Sequence, residues 1–362
     1  MNPSRTDELL TELNWPQTEE ATCFVHREDT LITCAGFEDR ALEFLKRCVG
    51  AGSKGFGLVG IEYLPEVAEN RVRHFKELAD TSRAAVVLQT YNRQEPENVE
   101  SLLDHAERSA YIWVDISGMS RLLIVQLIAL GVRRGLIRKM GIVYTEAELY
   151  PPSKEEFATR LADNRDYLGI LNFISSGVCG VTIVPELSSV AMQGQPIRLI
   201  AFPSFNPAQF AAVTAEIQAS GLTIINGVPP SAENCWRKEA IRQLNGIDSI
   251  REKEEYDTST LDYRGTLKLL LDLYARYAAT HKIIVSPTGS KMQSVAVGLV
   301  CGFLKDLQVV YPTPQSFPKP SNYTTGIRNV YQLSLATFAG VPVSVDLEES
   351  GLAEGEHGDG AA

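Results

Sequence analysis

The sequence has no apolar run long enough to cross a membrane and no broad basic segment. Its longest apolar runs, 122–131 and 295–304, are far shorter than the ~20 residues that a membrane span needs. The formal net charge is −11, which argues against a membrane surface or a long nucleic acid as partner, because both need a broad basic face. The polar, acidic N-terminus does not resemble a signal peptide. We therefore expect a soluble, cytoplasmic protein.

Cysteine and histidine are scarce and scattered. The six cysteines form no Cys-x-x-Cys pair, and none of the five histidines lies at metal-ligand spacing from other ligands. The chain also lacks the Gly-x-Ser-x-Gly nucleophile motif, the GxxxxGK[ST] phosphate loop and the GxGxxG dinucleotide motif. These absences indicate a reducing compartment. They predict no metal and no cofactor, and they leave the catalytic residues, if there are any, unassigned.

Short apolar stretches alternate with segments of helical length along most of the chain. This alternation is typical of an α/β protein, in which crossover helices join parallel strands. The pattern predicts strands at 31–34, 56–63, 84–90, 111–115, 140–144, 198–202, 222–226, 282–286 and 307–311. It predicts helices at 39–49, 65–80, 97–109, 119–134, 207–219, 232–245, 260–279 and 291–304.

The two halves of the chain also resemble each other. Four segments match in the same order, with offsets between 164 and 171 residues. The matched pairs are 31–45 with 199–213, 65–73 with 229–237, 114–121 with 285–291, and 143–153 with 310–321. Self-similarity at a nearly fixed offset indicates an internal duplication. We therefore predict an α/β fold of two tandem Rossmann-like units, each a doubly wound parallel sheet, that together form a pseudo-dimer.

The predicted domain organisation follows from this duplication. Its segments are an N-terminal extension (1–28), a first Rossmann-like unit (29–150), a bridge (151–195), a second unit (196–346) and a disordered acidic tail (347–362). The third strand and helix of the first half have no clear counterpart, because a charged stretch at 249–257 occupies their place. The copies have diverged, so the binding surface of one copy is a candidate for alteration or loss.

The candidate site is a loop that occurs once in each half, after the strands predicted at 111–115 and 282–286. Its hydroxyl, glycine and cationic residues are Ser117, Gly118, Ser120 and Arg121 in the first copy and Thr288, Gly289, Ser290 and Lys291 in the second. Each loop places these groups at the start of a helix, where unpaired N–H groups and the helix dipole attract anions. The alternative is that the hydroxyl groups only cap helices. The repetition of the pattern favours a ligand.

Other candidate residues lie where further strands are predicted to end, at the edge of the sheet where doubly wound folds bind ligands. Arg40 is a candidate partner for phosphate, and Tyr144 and Tyr311 are candidates for stacking on a base. Ordinary packing is an equal alternative for both tyrosines. A capping and ion-pair set fits Glu38, Asp39 and Glu146 somewhat better than a catalytic role does.

The loop of hydroxyl, glycine, hydroxyl and cation between an apolar strand and an apolar helix resembles the CARF family, the CRISPR-associated Rossmann fold. It also resembles the related SAVED domains, which hold two CARF-like units in one chain. The resemblance covers both loops and, loosely, residues 29–345. Met119 replaces the second glycine that the family loop often carries, and the second loop is one residue shorter, which leaves the identity of the ligand open.

Three functional hypotheses follow from the resemblance and from the residues. The first is a sensor subunit of prokaryotic antiviral defence that binds a small nucleotide-type ligand, such as a cyclic oligonucleotide, and acts on a separate effector protein. The second is a metal-independent ring nuclease or phosphodiesterase, in which a ribose 2′-hydroxyl attacks in line while Arg121 and Lys291 stabilise the phosphate charge. The third is a partner-binding scaffold with vestigial pockets.

Overall fold

The computed structural model describes residues 15–22, 24–64, 70–94, 96, 99–162, 175, 177–316, 323–336 and 338. Within these ranges the chain forms two mostly parallel sheets with helices packed on them, so the predicted α/β fold of two Rossmann-like units is confirmed. The predicted acidic tail, residues 1–14 of the N-terminal extension, and residues 163–174 and 176 of the predicted bridge lie outside the described residues. None of the described helices is long and apolar enough to cross a membrane.

Each sheet is built around five parallel strands. In spatial order, the first sheet contains β1 (Glu19–Glu20), β13 (Val330–Ser334), β6 (Met140–Thr145), β5 (Ile112–Asp115), β2 (Thr30–Cys34), β3 (Gly57–Leu64) and β4 (Ala85–Asn92). The second contains β7 (Gly180–Ile183), β12 (Gln308–Thr313), β11 (Lys282–Ser286), β8 (Ile197–Ala201), β9 (Gly221–Val228) and β10 (Glu254–Ser259). From β13 and from β7 onward, the two sheets have the same strand order.

The helices connect these strands in the order that the alternation predicts. Their bounds are α1 (Glu43–Gly50), α2 (Val72–Ser82), α3 (Val99–Asp104), α4 (Arg121–Arg133), α5 (Lys154–Ala162), α6 (Pro207–Ile217), α7 (Trp236–Leu244), α8 (Tyr263–Tyr277) and α9 (Lys291–Phe303). Helices α4 and α9 are apolar on nearly every side, and almost all of their residues are buried. A helix that is apolar all round belongs inside a core.

Helices α4 and α9 pack against each other and join the two units. Gly298 of α9 faces Ile128 of α4, and Gly302 faces Val132, so the contacts pair residues that the duplication makes equivalent. The first turns of the two helices also meet, because Arg121 donates a hydrogen bond to the carbonyl of Gly289. The helices therefore run side by side in the same direction, as a pseudo-two-fold axis along them requires. Their N-termini lie at the same end of the molecule.

The two units exchange their outermost strands, which corrects the predicted boundaries. β7 lies in the segment predicted as a bridge, yet it pairs antiparallel with β12 of the second sheet. β13 lies in the segment assigned to the second unit, yet it pairs antiparallel with β6 of the first sheet. Each five-stranded unit is thus followed by a strand that completes the other unit. Domain boundaries drawn as contiguous segments cannot describe this arrangement, because β13 follows the second unit in the chain but lies in the first sheet.

The third strand of the first half does have a counterpart, because the charged stretch at 249–257 leads into β10, which is the equivalent of β4. β10 pairs parallel with β9 as β4 pairs with β3. The prediction missed β10 because its charged side chains hide the strand pattern. They are accommodated at the edge of the sheet, where Glu255 binds Arg242 at 2.5 Å and Asp257 binds Lys238 at 2.5 Å.

Candidate functional site

A cleft of about 270 Å³ lies between the two units, where the parallel strands of both sheets end and α4 and α9 begin. The volume is close to the lower end of the range of about 300–1,000 Å³ that is common for small-molecule sites. Of the twelve residues that the sequence singled out, ten line it: Glu38, Arg40, Gly118, Ser120, Arg121, Tyr144, Gly289, Ser290, Lys291 and Tyr311. The two repeated loops therefore face one shared cleft.

The cation of each loop reaches across to the backbone of the other loop. Arg121 donates from Nε to the carbonyl of Gly289, and Lys291 donates from Nζ to the carbonyl of Met119 at 2.6 Å. In both cases the donor is the first residue of its helix, and the acceptor lies two residues before the opposite cation. These reciprocal bonds, which we call the cross-brace, hold the two helix N-termini together at the cleft.

Ser120 and Ser290 serve as helix caps. Ser120 Oγ accepts a hydrogen bond from the N–H of Leu123 at 3.3 Å, and Ser290 Oγ accepts one from Gln293 at 3.1 Å. The Ser290 N–H in turn donates to the Gln293 side-chain oxygen at 2.7 Å, which completes a capping box. The capping alternative thus accounts for these two side chains, while their loops still line the cleft through backbone and cations.

Ser117 and Thr288 are buried and do not line the cleft. Ser117 Oγ donates to Asp115 at 2.5 Å and accepts from the N–H of Thr145 at 2.8 Å, whereas Thr288 donates to the carbonyl of Phe202. Both hydroxyl groups fasten their loop to a neighbouring strand. Burial raises the pKa of Asp115 to about 6, although Ser117 donates hydrogen bonds to its carboxylate.

Arg40 lines the cleft, but its donors are used within the protein. Its Nε and one terminal nitrogen bind Glu38 at 2.8 Å, and the other terminal nitrogen donates to the Tyr144 hydroxyl, the Thr145 carbonyl and the Tyr150 hydroxyl. Burial alone would raise the pKa of Glu38, but the cations of Arg40 and Lys291 hold it below its ordinary value. This arrangement matches the ion-pair interpretation. Arg40 holds Glu38, Tyr144 and Tyr150 in place at the wall of the cleft.

Sequence reasoning missed several large side chains that line the cleft, among them Tyr63, Arg93 and Arg237. Tyr63 lies at the end of β3 and accepts a hydrogen bond from the N–H of Ser120 at 2.5 Å. Arg93 follows β4, and its guanidinium carbon lies 4.0 Å from the centroid of the Tyr63 ring. The rule that ligands bind at the carboxyl ends of the strands would have selected both residues, had it been applied to the second and third strands as well.

The cleft is locally cationic in an acidic chain. The described residues that line it include five cations, Arg40, Arg93, Arg121, Arg237 and Lys291, and two carboxylates, Glu38 and Glu146. Burial lowers the pKa of Lys291 to about 7, against the opposite influence of Glu38. The amine therefore exchanges its proton near neutral pH, and a bound anion would favour the protonated form. The described residues contain no group of three or more side chains suited to hold a metal ion.

No family model and no curated protein matches the chain. Solved structures similar to it include a universal stress protein from Archaeoglobus fulgidus DSM 4304, with 12% identity over 80% of this chain and 98% of that chain and a TM-score of 0.23. A functionally unknown protein from Pseudomonas aeruginosa PAO1 has 10% identity, coverage of 80% and 94%, and a TM-score of 0.23. The cytoplasmic domain of a prokaryotic cation chloride cotransporter has 12% identity, coverage of 78% and 94%, and a TM-score of 0.22. At these identities and TM-scores, the likenesses assign the chain to no family and to no activity.

Proposed function

We propose that the cleft binds a small anionic ligand of the nucleotide type and that the protein acts as a sensor or regulatory subunit. The observation that carries the proposal is the pair of helix N-termini that the cross-brace holds at one cationic cleft. Two aligned helix dipoles and their unpaired N–H groups favour negative charge at the same place. Arg121 and Lys291 add two cations there, on a chain whose net charge is −11.

Cyclic oligonucleotides are the ligand class that we favour within this proposal. The resemblance of both loops to the CARF and SAVED domains points to that class and to antiviral defence through a separate effector. The pseudo-two-fold arrangement of α4 and α9 supports it, because such a site can contact phosphates from both sides at once. Tyr144 and Tyr311 line the cleft and are our candidates for contact with a base.

A thermal-shift screen against cyclic di-, tri-, tetra- and hexanucleotides, with mononucleotides as controls, tests the proposal. A ligand that binds only the folded protein raises the melting temperature. Arg121→Gln and Lys291→Gln keep a hydrogen-bond donor but remove the charge. Each should weaken binding by about tenfold or more, because a hydrogen bond to a charged group contributes about 1.5–3 kcal/mol.

Lys305→Gln is the matched control, because exposed Lys305 lies beyond the far end of α9 and outside the cleft. It should bind as the wild-type protein does. If no nucleotide shifts the melting temperature, the scaffold hypothesis replaces the present proposal. If the control weakens binding as much as the cleft variants do, the cleft is not the site.

The position of the Lys291 amine at the cleft and its lowered pKa favour a second candidate function, metal-independent cleavage of a bound phosphodiester. In this reaction the ribose 2′-oxygen attacks the adjacent phosphorus, its proton passes to the neutral Lys291 amine, and the 5′-oxygen leaves and takes a proton from water. The products are a 2′,3′-cyclic phosphate and a 5′-hydroxyl. An amine whose pKa is near 7 is suited to act as a base at neutral pH.

Chromatography of cyclic and linear oligonucleotides after incubation with the protein tests for cleavage. Cleavage that Lys291→Gln abolishes, and that persists in a metal chelator, supports this second function. An intact oligonucleotide that nevertheless binds the wild-type protein supports the sensor role alone.

A further inference from the structure

The two halves of the cleft are built from equivalent strands but carry different side chains. β3 and β9 each contain eight residues and occupy the same place in their sheets, so Tyr63 corresponds to Gly227. Both residues line the cleft. One half therefore has a tyrosine ring at a position where the strand of the other half has no side chain.

A second difference lies one strand further out, after β4 and β10. The N–H of Arg93 donates to the Leu64 carbonyl at 3.2 Å, and the N–H of Thr260 donates to the Val228 carbonyl at 3.0 Å. These matching bonds make Arg93 and Thr260 equivalent. Arg93 stacks on Tyr63, so the first half carries a cation and an aromatic ring side by side. The second half has a neutral hydroxyl group there.

Away from Lys291 at the centre of the cleft, the wall of the second half is largely apolar and contains Phe205, Pro229, Pro230 and Leu261. The other cation of this half, Arg237, donates its terminal nitrogens to the carbonyl groups of three consecutive residues, 150–152, and so faces the protein. A Cβ at position 227 would lie 2.8 Å from the Thr260 methyl group, so the uncharged Thr260 side chain fills the space beside Gly227.

We infer that the ligand has no two-fold symmetry: a phosphate group lies on the Arg93 side, and an uncharged ring lies on the Gly227 side. The inference rests on the proposed nucleotide-binding function and restricts the ligand class favoured above. It excludes cyclic oligonucleotides that have a two-fold axis, such as cyclic dinucleotides of one base, and retains nucleotides that lack one. A two-fold symmetric ligand would present the same group to both halves. Either a phosphate of this ligand would lie beside Thr260 and be desolvated without a cation, or an uncharged base of the ligand would lie beside the cation of Arg93.

The test uses two probes, a linear di-adenylate with a 5′-phosphate, which has no two-fold axis, and cyclic di-adenylate, which has one. Titration calorimetry gives the ratio of their affinities, and the guanine, cytosine and uracil versions are compared in the same way. We expect the wild-type protein to bind the linear probe at least tenfold more tightly. Thr260→Arg copies the charge of Arg93 into the second half and should reduce this preference at least tenfold.

Two further variants keep the test decisive if Thr260→Arg folds poorly. Thr260→Val keeps the shape of the side chain and adds no charge, so it should leave the preference unchanged within about twofold. Arg93→Gln removes the cation of the first half and should weaken the linear probe at least tenfold, with a smaller effect on the cyclic probe.

The results separate this inference from the function on which it rests. The inference fails if the cyclic probe binds as tightly as the linear one and Thr260→Arg strengthens both, whereas nucleotide binding itself then stands. If the wild-type protein binds neither probe nor any other nucleotide in the screen, the proposed function fails, and the inference falls with it.

Discussion

Substituting one glycine in the helix pair that joins the units is the most direct test of the architecture. In Gly298→Ala, the added Cβ would lie 2.8 Å from Cβ of Ile128 and 3.1 Å from the Val125 carbonyl oxygen. Carbon atoms in optimal contact are about 3.5–4.0 Å apart, so α4 and α9 must separate by roughly 1 Å. Neither contacting atom can rotate away, because one is a Cβ and the other belongs to the backbone.

The magnitude follows from two opposing effects. Overpacking a tight core costs about 1–3 kcal/mol, whereas replacing glycine by alanine within a helix contributes up to about 1 kcal/mol. We expect Gly298→Ala to lower the free energy of unfolding by about 1–2 kcal/mol. Gly265→Ala in α8 is the matched control, because its added Cβ would meet nothing within 4 Å. It should raise stability by up to about 1 kcal/mol.

Urea denaturation of both variants measures the two changes. Opposite signs support the close helix packing, and calorimetry should then show weaker nucleotide binding in Gly298→Ala, because separating the helices stretches the cross-brace. Equal stabilisation of both variants would refute the reasoning, since it would mean that position 298 has as much free space as position 265.

Three other predictions concern single residues. Since burial lowers the pKa of Lys291 to about 7, a phosphate ligand of the protonated amine should bind about fivefold more weakly at pH 8 than at pH 7 in calorimetry, and Lys291→Gln should lose this dependence. Burial raises the pKa of Asp115 to about 6, above its ordinary value of 3.8, so its ionisation opposes folding above pH 6. Asp115→Asn should therefore be more stable than wild type at pH 8, by up to about 3 kcal/mol in urea denaturation, and should lose the advantage near pH 4. Arg237→Ala removes three hydrogen bonds to residues 150–152 and should cost about 2–3 kcal/mol, whereas Arg251→Ala, at an exposed position, should cost almost nothing.

The central strands and the paired helices could be predicted because they are apolar and locally regular. β2 and α4 are buried on nearly all sides, and such burial favours a nearly continuous apolar run. β10 escaped prediction because its charges are neutralised by residues of α7, and a contact between separate elements leaves no local pattern. The exchange of β7 and β13 escaped for the same reason, since strand pairing is decided by the whole fold.

Most of the candidate residues line one cleft because the loops that carry them have a recognisable local sequence. The two loops stand out because each combines glycine, hydroxyl groups and a cation at a helix start. The sequence could not separate Ser117, whose hydroxyl is buried against Asp115, from residues that face the cleft. It also could not show that Arg40 is already bound by Glu38, because that pairing depends on how the chain turns after β2.

The joining of both units in one chain has a consequence for how the site responds to concentration. A cleft formed between two separate subunits exists only where those subunits meet, so its occupancy depends on protein concentration as well as on ligand. Here the linkage and the exchanged strands give each half a high effective concentration of the other. Every folded molecule therefore carries one complete cleft even at very low abundance, and its response depends only on the amount of ligand. The same linkage allows each half to change by mutation independently of the other, which two identical subunits encoded by one sequence cannot do.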